Sequence, residues 1–322
     1  FGALAGSGAL PFPREAFEAA IRASGKGVEG SLRAFAAAYE VAQKPPAGAP
    51  PAPPAPVVTV ARGPARLMAE WQRLEARVAA LPAPAAEMAL PGLRKVVEFQ
   101  DLAYGAEYLA RVEAVLARDS AAQGHQLTRE AAKYIANAMA YDDVIRVADL
   151  KTRAARFDRI RGEMRVKEGN LMHLTEFMHP RAEEIAGMLP AAMGARVEAS
   201  PKWMARLDRW FNRGRRLRTD TLRAYLMLHF LGGMKGWRRR TLRHRQEVAH
   251  LEAWLTTALG HLPRYDLAVE VIRCRRLVKG YSDTHARGLS KFDKVMGGIA
   301  LVAGREDAAD WARRLREAAL KD

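Results

Sequence analysis

Along most of the chain, apolar residues return every three or four positions, the period of a helix with one buried face. Val28, Leu32, Phe35 and Tyr39 form one such stripe, and Leu67, Trp71, Leu74 and Val78 form another on a helix predicted from Pro64 to Leu81. Pro91 reads as the start of a long helix to about Arg118, interrupted only at Gly105. Thr128 reads as the N-cap of a helix that continues to about Arg165. Further helical patterns cover residues 170–190, 201–212, a stretch capped by Asp220, Val248–Leu262, Leu267–Arg276 and Ala308–Lys321. Alternating strand patterns are nearly absent. VVTVA (57–61) would make one short strand, and RGRRLRT (213–219) reads as a basic turn or short edge strand. No internal repeat of about 20–50 residues is visible. The pattern predicts a mainly α protein.

Proline divides the chain. Residues 44–56, KPPAGAPPAPPAP, hold seven prolines among thirteen residues, a semi-rigid polyproline linker. The expected organisation is a short helical segment over 1–43, a Pro/Ala-rich linker over 44–63, and a multi-helix domain over 64–322. Gly6 and Gly8 precede the first strong helix pattern, where they would either cradle a phosphate or let two helices approach closely. The opening FGALAGSGALP lacks a secretory n-region, and Phe1 reads as the interior of a longer protein.

Charge changes the picture next. Of the formal net +16, residues 1–120 carry +1 and residues 121–322 carry +15. Residues 201–250 alone hold fourteen Lys and Arg against three Asp and Glu. Arg215, Arg216, Arg218, Arg238, Arg239 and Arg240, with Trp210, Phe211 and Trp237 close in sequence, form a candidate basic interface. Arginine beside aromatic rings suits single-stranded nucleic acid, an acidic subunit, or a phosphate-bearing ligand. No nucleic-acid motif accompanies it, so nucleic acid is the less favoured partner. No run approaches the roughly 20 apolar residues of a membrane span. The single cysteine, Cys274, excludes an internal disulfide framework and any four-thiolate iron–sulfur cluster held by this sequence alone. A reducing cytoplasmic setting fits. The histidines show no metal-ligand spacing.

Two segments concentrate candidate chemistry. In LVKGYSDTHARGLSKFDKVMGG (277–298), Gly280 reads as a helix end and Ser282 or Asp283 as the next N-cap. Lys279, Tyr281, Asp283, His285 and Arg287 then crowd one turn, with Asp283 spaced to pair with Arg287. On the segment after Thr128, Asp142, Arg146, Asp149 and Arg153 share a helix face, with Asp143 and Lys151 beside them. This is either an ion-pair ladder or a polar site, and any burial requires partners, with Lys279, Asp283 and Arg287 as candidates. The two segments are expected to meet as one polar cluster.

The same segments carry a resemblance. YSDTH with its flanking LVKG and HARGLSKF, the block LTREAAKYIANAMAYDDVIRVADLKTRAARF (127–157), and the opening FGALAGSGALPFPREAFEAAIRASGKGVEGSLRAFAAAYE resemble, in their order along the chain, the indolepyruvate oxidoreductase beta-subunit family. The opening is similar to the end of the gamma-type domain of 2-oxoacid:ferredoxin oxidoreductases. The resemblance implies that residues 1–43 are the C-terminal helices of a truncated α/β domain. It implies a large alpha subunit as partner, carrying thiamine diphosphate and iron–sulfur clusters. It further implies oxidative decarboxylation of arylpyruvates to aryl-acetyl-CoA, with CoA as co-substrate and ferredoxin as electron acceptor. The resemblance carries no catalytic residue over to the helical region, so catalytic residues stay unassigned. The alternative reading is a basic helical module that binds nucleic acid or another polyanion.

Overall fold

The computed structural model describes residues 1–25, 27–44 and 60–321, so the centre of the Pro-rich linker and most of the VVTVA segment lie outside the described residues. The chain divides into two compact units, Phe1–Ala61 and Arg62–Asp322. Seventeen α-helices and one two-stranded sheet make up the regular structure among the described residues, a mainly α fold.

The first unit holds α1 (Gly2–Gly6), α2 (Arg14–Ala23) and α3 (Val28–Gln43). Phe17 and Phe35 are its buried side chains among the described residues, their rings stacked with centroids 6.2 Å apart. α1 lies so close to α3 that a Cβ at Gly6 would stand 2.6 Å from the Tyr39 carbonyl oxygen. Close packing is therefore the role of Gly6, whereas Gly8 meets nothing nearby and turns the chain with φ +69°.

The second unit runs through α4 (Ala65–Ala79), α5 (Ala83–Phe99), α6 (Leu102–Leu116), α7 (Gln126–Met139), α8 (Val144–Thr152) and α9 (Ala154–Glu163). It continues with β1 (Thr175–Met178), α10 (Ala182–Met188), α11 (Ala191–Glu198), α12 (Pro201–Phe211), β2 (Arg215–Arg218) and α13 (Leu222–Gly233). α14 (Leu242–Gly260), α15 (Tyr265–Cys274), α16 (Asp283–Val302) and α17 (Ala308–Lys321) complete it. Its core joins α4–α7 to α14–α17 through Leu93, Leu109, Leu127, Ile135, Leu251 and Ile272. Each such fully buried side chain contributes about 1.5–3 kcal/mol relative to exposure. Buried polar ends find backbone partners: Tyr104 donates to Met139 O (3.2 Å), Tyr108 to Ala132 O (2.9 Å) and Trp254 to Val271 O (3.0 Å). No helix among the described residues is long and apolar enough to cross a membrane.

The structure corrects several boundaries. α5 begins at Ala83 and carries Pro91 inside it, and the chain breaks at Gln100 rather than Gly105. Asp101 makes that break by accepting the Tyr104 N–H (2.7 Å) as the N-cap of α6. The single helix expected over 128–165 is three helices. His125, not Thr128, precedes α7, and the upstream Asp119 accepts both the amide and the hydroxyl of Thr128 (2.8 and 2.6 Å). Asp143 opens α8 by accepting the Arg146 amide (2.6 Å), so an aspartate read as part of a ladder is a helix start. Residues 175–178, expected in a helix, form β1, antiparallel to β2 with Glu176 opposite Leu217. Pro180 explains the loss of helix there, since it lacks an amide and disfavours α geometry at His179. Thr221, not Asp220, precedes α13; Asp220 instead pairs with Arg218 (2.6 Å).

Candidate functional site

The break between α7 and α8 places Asp142 and Asp143 opposite the turn that joins α15 to α16, where Lys279, Tyr281 and Ser282 precede His285. Gly280 makes this turn possible with φ +79°. Ser282 follows at φ +54° and ψ −128° with no side-chain capping bond, a strained conformation for a residue with a Cβ. Two clefts open here, and Asp142 and His285 line both.

The first cleft, about 260 Å³, has apolar walls from Val144, Ile145, Met188 and Leu289. Its polar groups come from Asp142 and Asp143 before α8, from α10, α11 and α14, and from the 281–285 turn. Glu184 accepts the Arg181 amide (3.1 Å) and the Tyr281 hydroxyl (2.9 Å) through one oxygen, while its other oxygen, Oε1, is buried without a partner. Arg243 Nε is likewise buried without a partner. Burial pushes the Glu184 carboxyl up, against the pull of the Arg181 amide, the Tyr281 and Ser282 hydroxyls and the Arg243 charge. Burial also pushes Asp142 up, with Lys95 and Arg146 opposing it, and raises the Tyr281 hydroxyl, with Glu184 adding to the effect.

The second cleft, about 570 Å³, is basic. Lys95, Lys133, Arg146, Arg275, Arg276 and Lys279 line it, with Asp142 as the one carboxylate on its wall.

Beneath both clefts lies a buried ionic knot. Glu247 on α14 pairs with Arg243 (2.8 Å), Arg275 (3.4 Å) and His285 Nε2 (3.2 Å). Burial opposes its charge, but His285 and the two guanidinium groups outweigh burial and hold its carboxyl at about 2. Arg275, 3% exposed, also donates to His250, whose imidazole is pushed down by burial and by that guanidinium. A second knot joins Arg238 to Asp143 (2.7 Å), the Phe99 carbonyl (2.6 Å) and Gln100 (3.0 Å), its guanidinium 4.0 Å above the Phe99 ring.

The remaining sequence candidates divide. Asp283 is exposed and pairs with Arg181 rather than Arg287, which lines neither cleft. Arg146 pairs with Asp149 (3.4 Å) and Glu98 (3.5 Å), and its expected pair with Asp142 is absent among the described residues. Arg153 pairs with Asp149 (2.6 Å) and Glu98, and Lys151 pairs with Glu176. Asp149, Lys151 and Arg153 therefore form a ladder away from both clefts, satisfied by Glu98 and Glu176 instead of residues 279–287. The arginines do not share one surface. Arg238 is 1% exposed, Arg218 pairs with Asp220, Arg239 with Glu107, Arg216 lies over Phe177, and Arg240 over Trp237. Of Arg215 the backbone alone is described, in β2. Sequence reasoning missed Lys95, Lys133, Glu184 and Glu247. The i,i+4 spacing of Arg243 and Glu247 was a visible signal for the last.

Every residue that lines the two clefts falls within residues 85–298, where the chain matches a family of unknown function, DUF6537. No curated protein and no solved structure matches the chain. The family match spans more than half of the sequence, and the chain belongs to the DUF6537 family.

Proposed function

We propose that this chain is part of the beta subunit of an arylpyruvate:ferredoxin oxidoreductase of the indolepyruvate type, and that the smaller cleft holds the aromatic 2-oxo acid. The observation that carries the reading is the composition of that cleft. Val144, Ile145, Met188 and Leu289 give it apolar faces among charged groups of both signs, and its two buried polar atoms without a partner are an acceptor, Glu184 Oε1, and a donor, Arg243 Nε. An aryl 2-oxo acid with a ring N–H brings a flat apolar body, oxygens for the arginine and a donor for the glutamate. Two of the three segments that carry the family resemblance, 127–157 and 277–298, contribute residues to it.

In this reading the chain binds, orients and excludes water, while thiamine diphosphate on the large subunit supplies the electron sink. Iron–sulfur clusters are likewise assigned to the partner, because the one thiol here, Cys274, is fully buried. The nucleic-acid alternative loses support from the arginine-rich segment, where Arg218, Arg238, Arg239 and Arg243 are matched by carboxylates within the chain.

The test is dye reduction by the chain co-expressed with its large subunit and supplied with thiamine diphosphate and CoA. Arylpyruvate-dependent reduction that requires both chains is expected. Ala286→Phe, which fills the cleft, should raise KM roughly tenfold or more with a smaller effect on kcat. An inactive complex that contains its clusters and cofactor refutes the proposal.

A further inference from the structure

The larger cleft has no role in the reading above, and its chemistry differs from that of its neighbour. Six cationic side chains from α5, α7, α8 and the segment after α15 surround it, against one carboxylate. Arg146 and Arg275 are matched by Glu98, Asp149 and Glu247. Lys95 forms no ion pair among the described residues; it donates to the Asn137 amide oxygen at 2.7 Å and feels the Asp142 and Glu98 charges only at longer range. Lys133, Arg276 and Lys279 meet no carboxylate among the described residues, and Lys133 lies 5.3 Å from the Tyr134 ring. Like charges gathered around a concavity repel one another unless an anion enters. Burial depresses the Lys95 ammonium, with Asp142 and Glu98 opposing the effect and Arg146 adding to it.

We propose that this cleft binds a small molecule through its phosphate or pyrophosphate group. A dianionic or trianionic group answers several unmatched cations at once, with Arg276 able to chelate two oxygens and the lysines acting as point charges. The volume, about 570 Å³, is that of a small-molecule site. Nucleic acid fits less well. A strand requires an extended basic track with aromatic faces for its bases, whereas Tyr134 and Tyr141 here are 6% and 5% exposed. The proposal does not depend on the oxidoreductase reading, and its test needs no turnover.

The probe is inorganic pyrophosphate, titrated calorimetrically into the whole chain at constant ionic strength, with thermal melts alongside. Saturable one-site binding and a raised melting temperature are expected. Lys133→Glu and Lys279→Glu alter exposed residues that break no ion pair, with Lys133 giving up only its contact with the Tyr134 ring, so both should melt close to the parent without ligand and bind roughly tenfold more weakly or worse. Arg216→Glu, exposed and outside the cleft, should bind as the parent does. Three results overturn the proposal: no saturable binding; unchanged affinity in both lysine variants; or random single-stranded DNA that displaces pyrophosphate and is weakened equally by Arg216→Glu. The last would identify a diffuse polyanion surface.

Discussion

Glu247→Gln changes one atom type in the knot beneath the clefts and removes its only negative charge. Arg275 would then remain 3% exposed, facing a neutral amide and His250. Removing one partner from a buried ion pair costs about 3–5 kcal/mol. An independent route gives a similar figure: a carboxyl held at about 2 rather than 4.5 contributes about 3 kcal/mol at neutral pH. Because the folded carboxyl is the stronger acid, this stability is present in full above its ordinary value. It is lost as pH falls from 4.5 toward 2. Urea unfolding of parent and variant, followed by tryptophan fluorescence, should therefore differ by about 3 kcal/mol near pH 7 and by clearly less near pH 3. A difference below about 1 kcal/mol near neutrality, the scale of an exposed pair, would refute the argument, as would a difference that ignores pH.

Arg238→Ala should cost a further, separate amount of about 3–5 kcal/mol, since it strands Asp143 and the Phe99 carbonyl. Asn at 143 in that background should recover part of the loss in the same unfolding assay. Gly288→Ala places a Cβ 2.7 Å from the Leu277 carbonyl oxygen; overpacking there should cost about 1–3 kcal/mol, read as a lowered melting temperature. Burial pushes the Cys274 thiol up to about 12, so a thiol reagent at neutral pH should label one cysteine per chain in denaturant and none in the folded protein.

Much of the helical architecture was legible because each helix shows its buried face as a period of three to four, as Trp71, Leu74 and Val78 do on α4. The break at 140–143 was not, because the aspartates there keep the i,i+3/i+4 rhythm that a continuous ladder would have. Charge periodicity cannot separate an N-cap from a rung. The strands escaped because β1 has no partner nearby in sequence; Thr175 pairs with Arg218 across the whole of α10–α12. In the site, the density of polar residues around 277–287 and 142–153 was readable, but their pairing was not. Glu98 and Glu176 sit amid apolar residues at unremarkable spacing, and only the tertiary fold brings them to Arg153 and Lys151. The arginine-rich segment misled for the related reason that a sequence counts charge without recording which carboxylate it faces.

Asp142 and His285 form a common wall between an apolar compartment and a cationic one. Asp142 is half-buried, and its proton affinity already responds to Lys95 across the basic side. An anion arriving among those lysines offsets their hold on the carboxylate and makes Asp142 easier to protonate, which turns an acceptor on the other side of the wall into a donor. The two compartments are therefore thermodynamically linked through one shared side chain. Whatever free energy a guest on one side adds to or removes from a guest on the other must appear equally in the reverse order of filling.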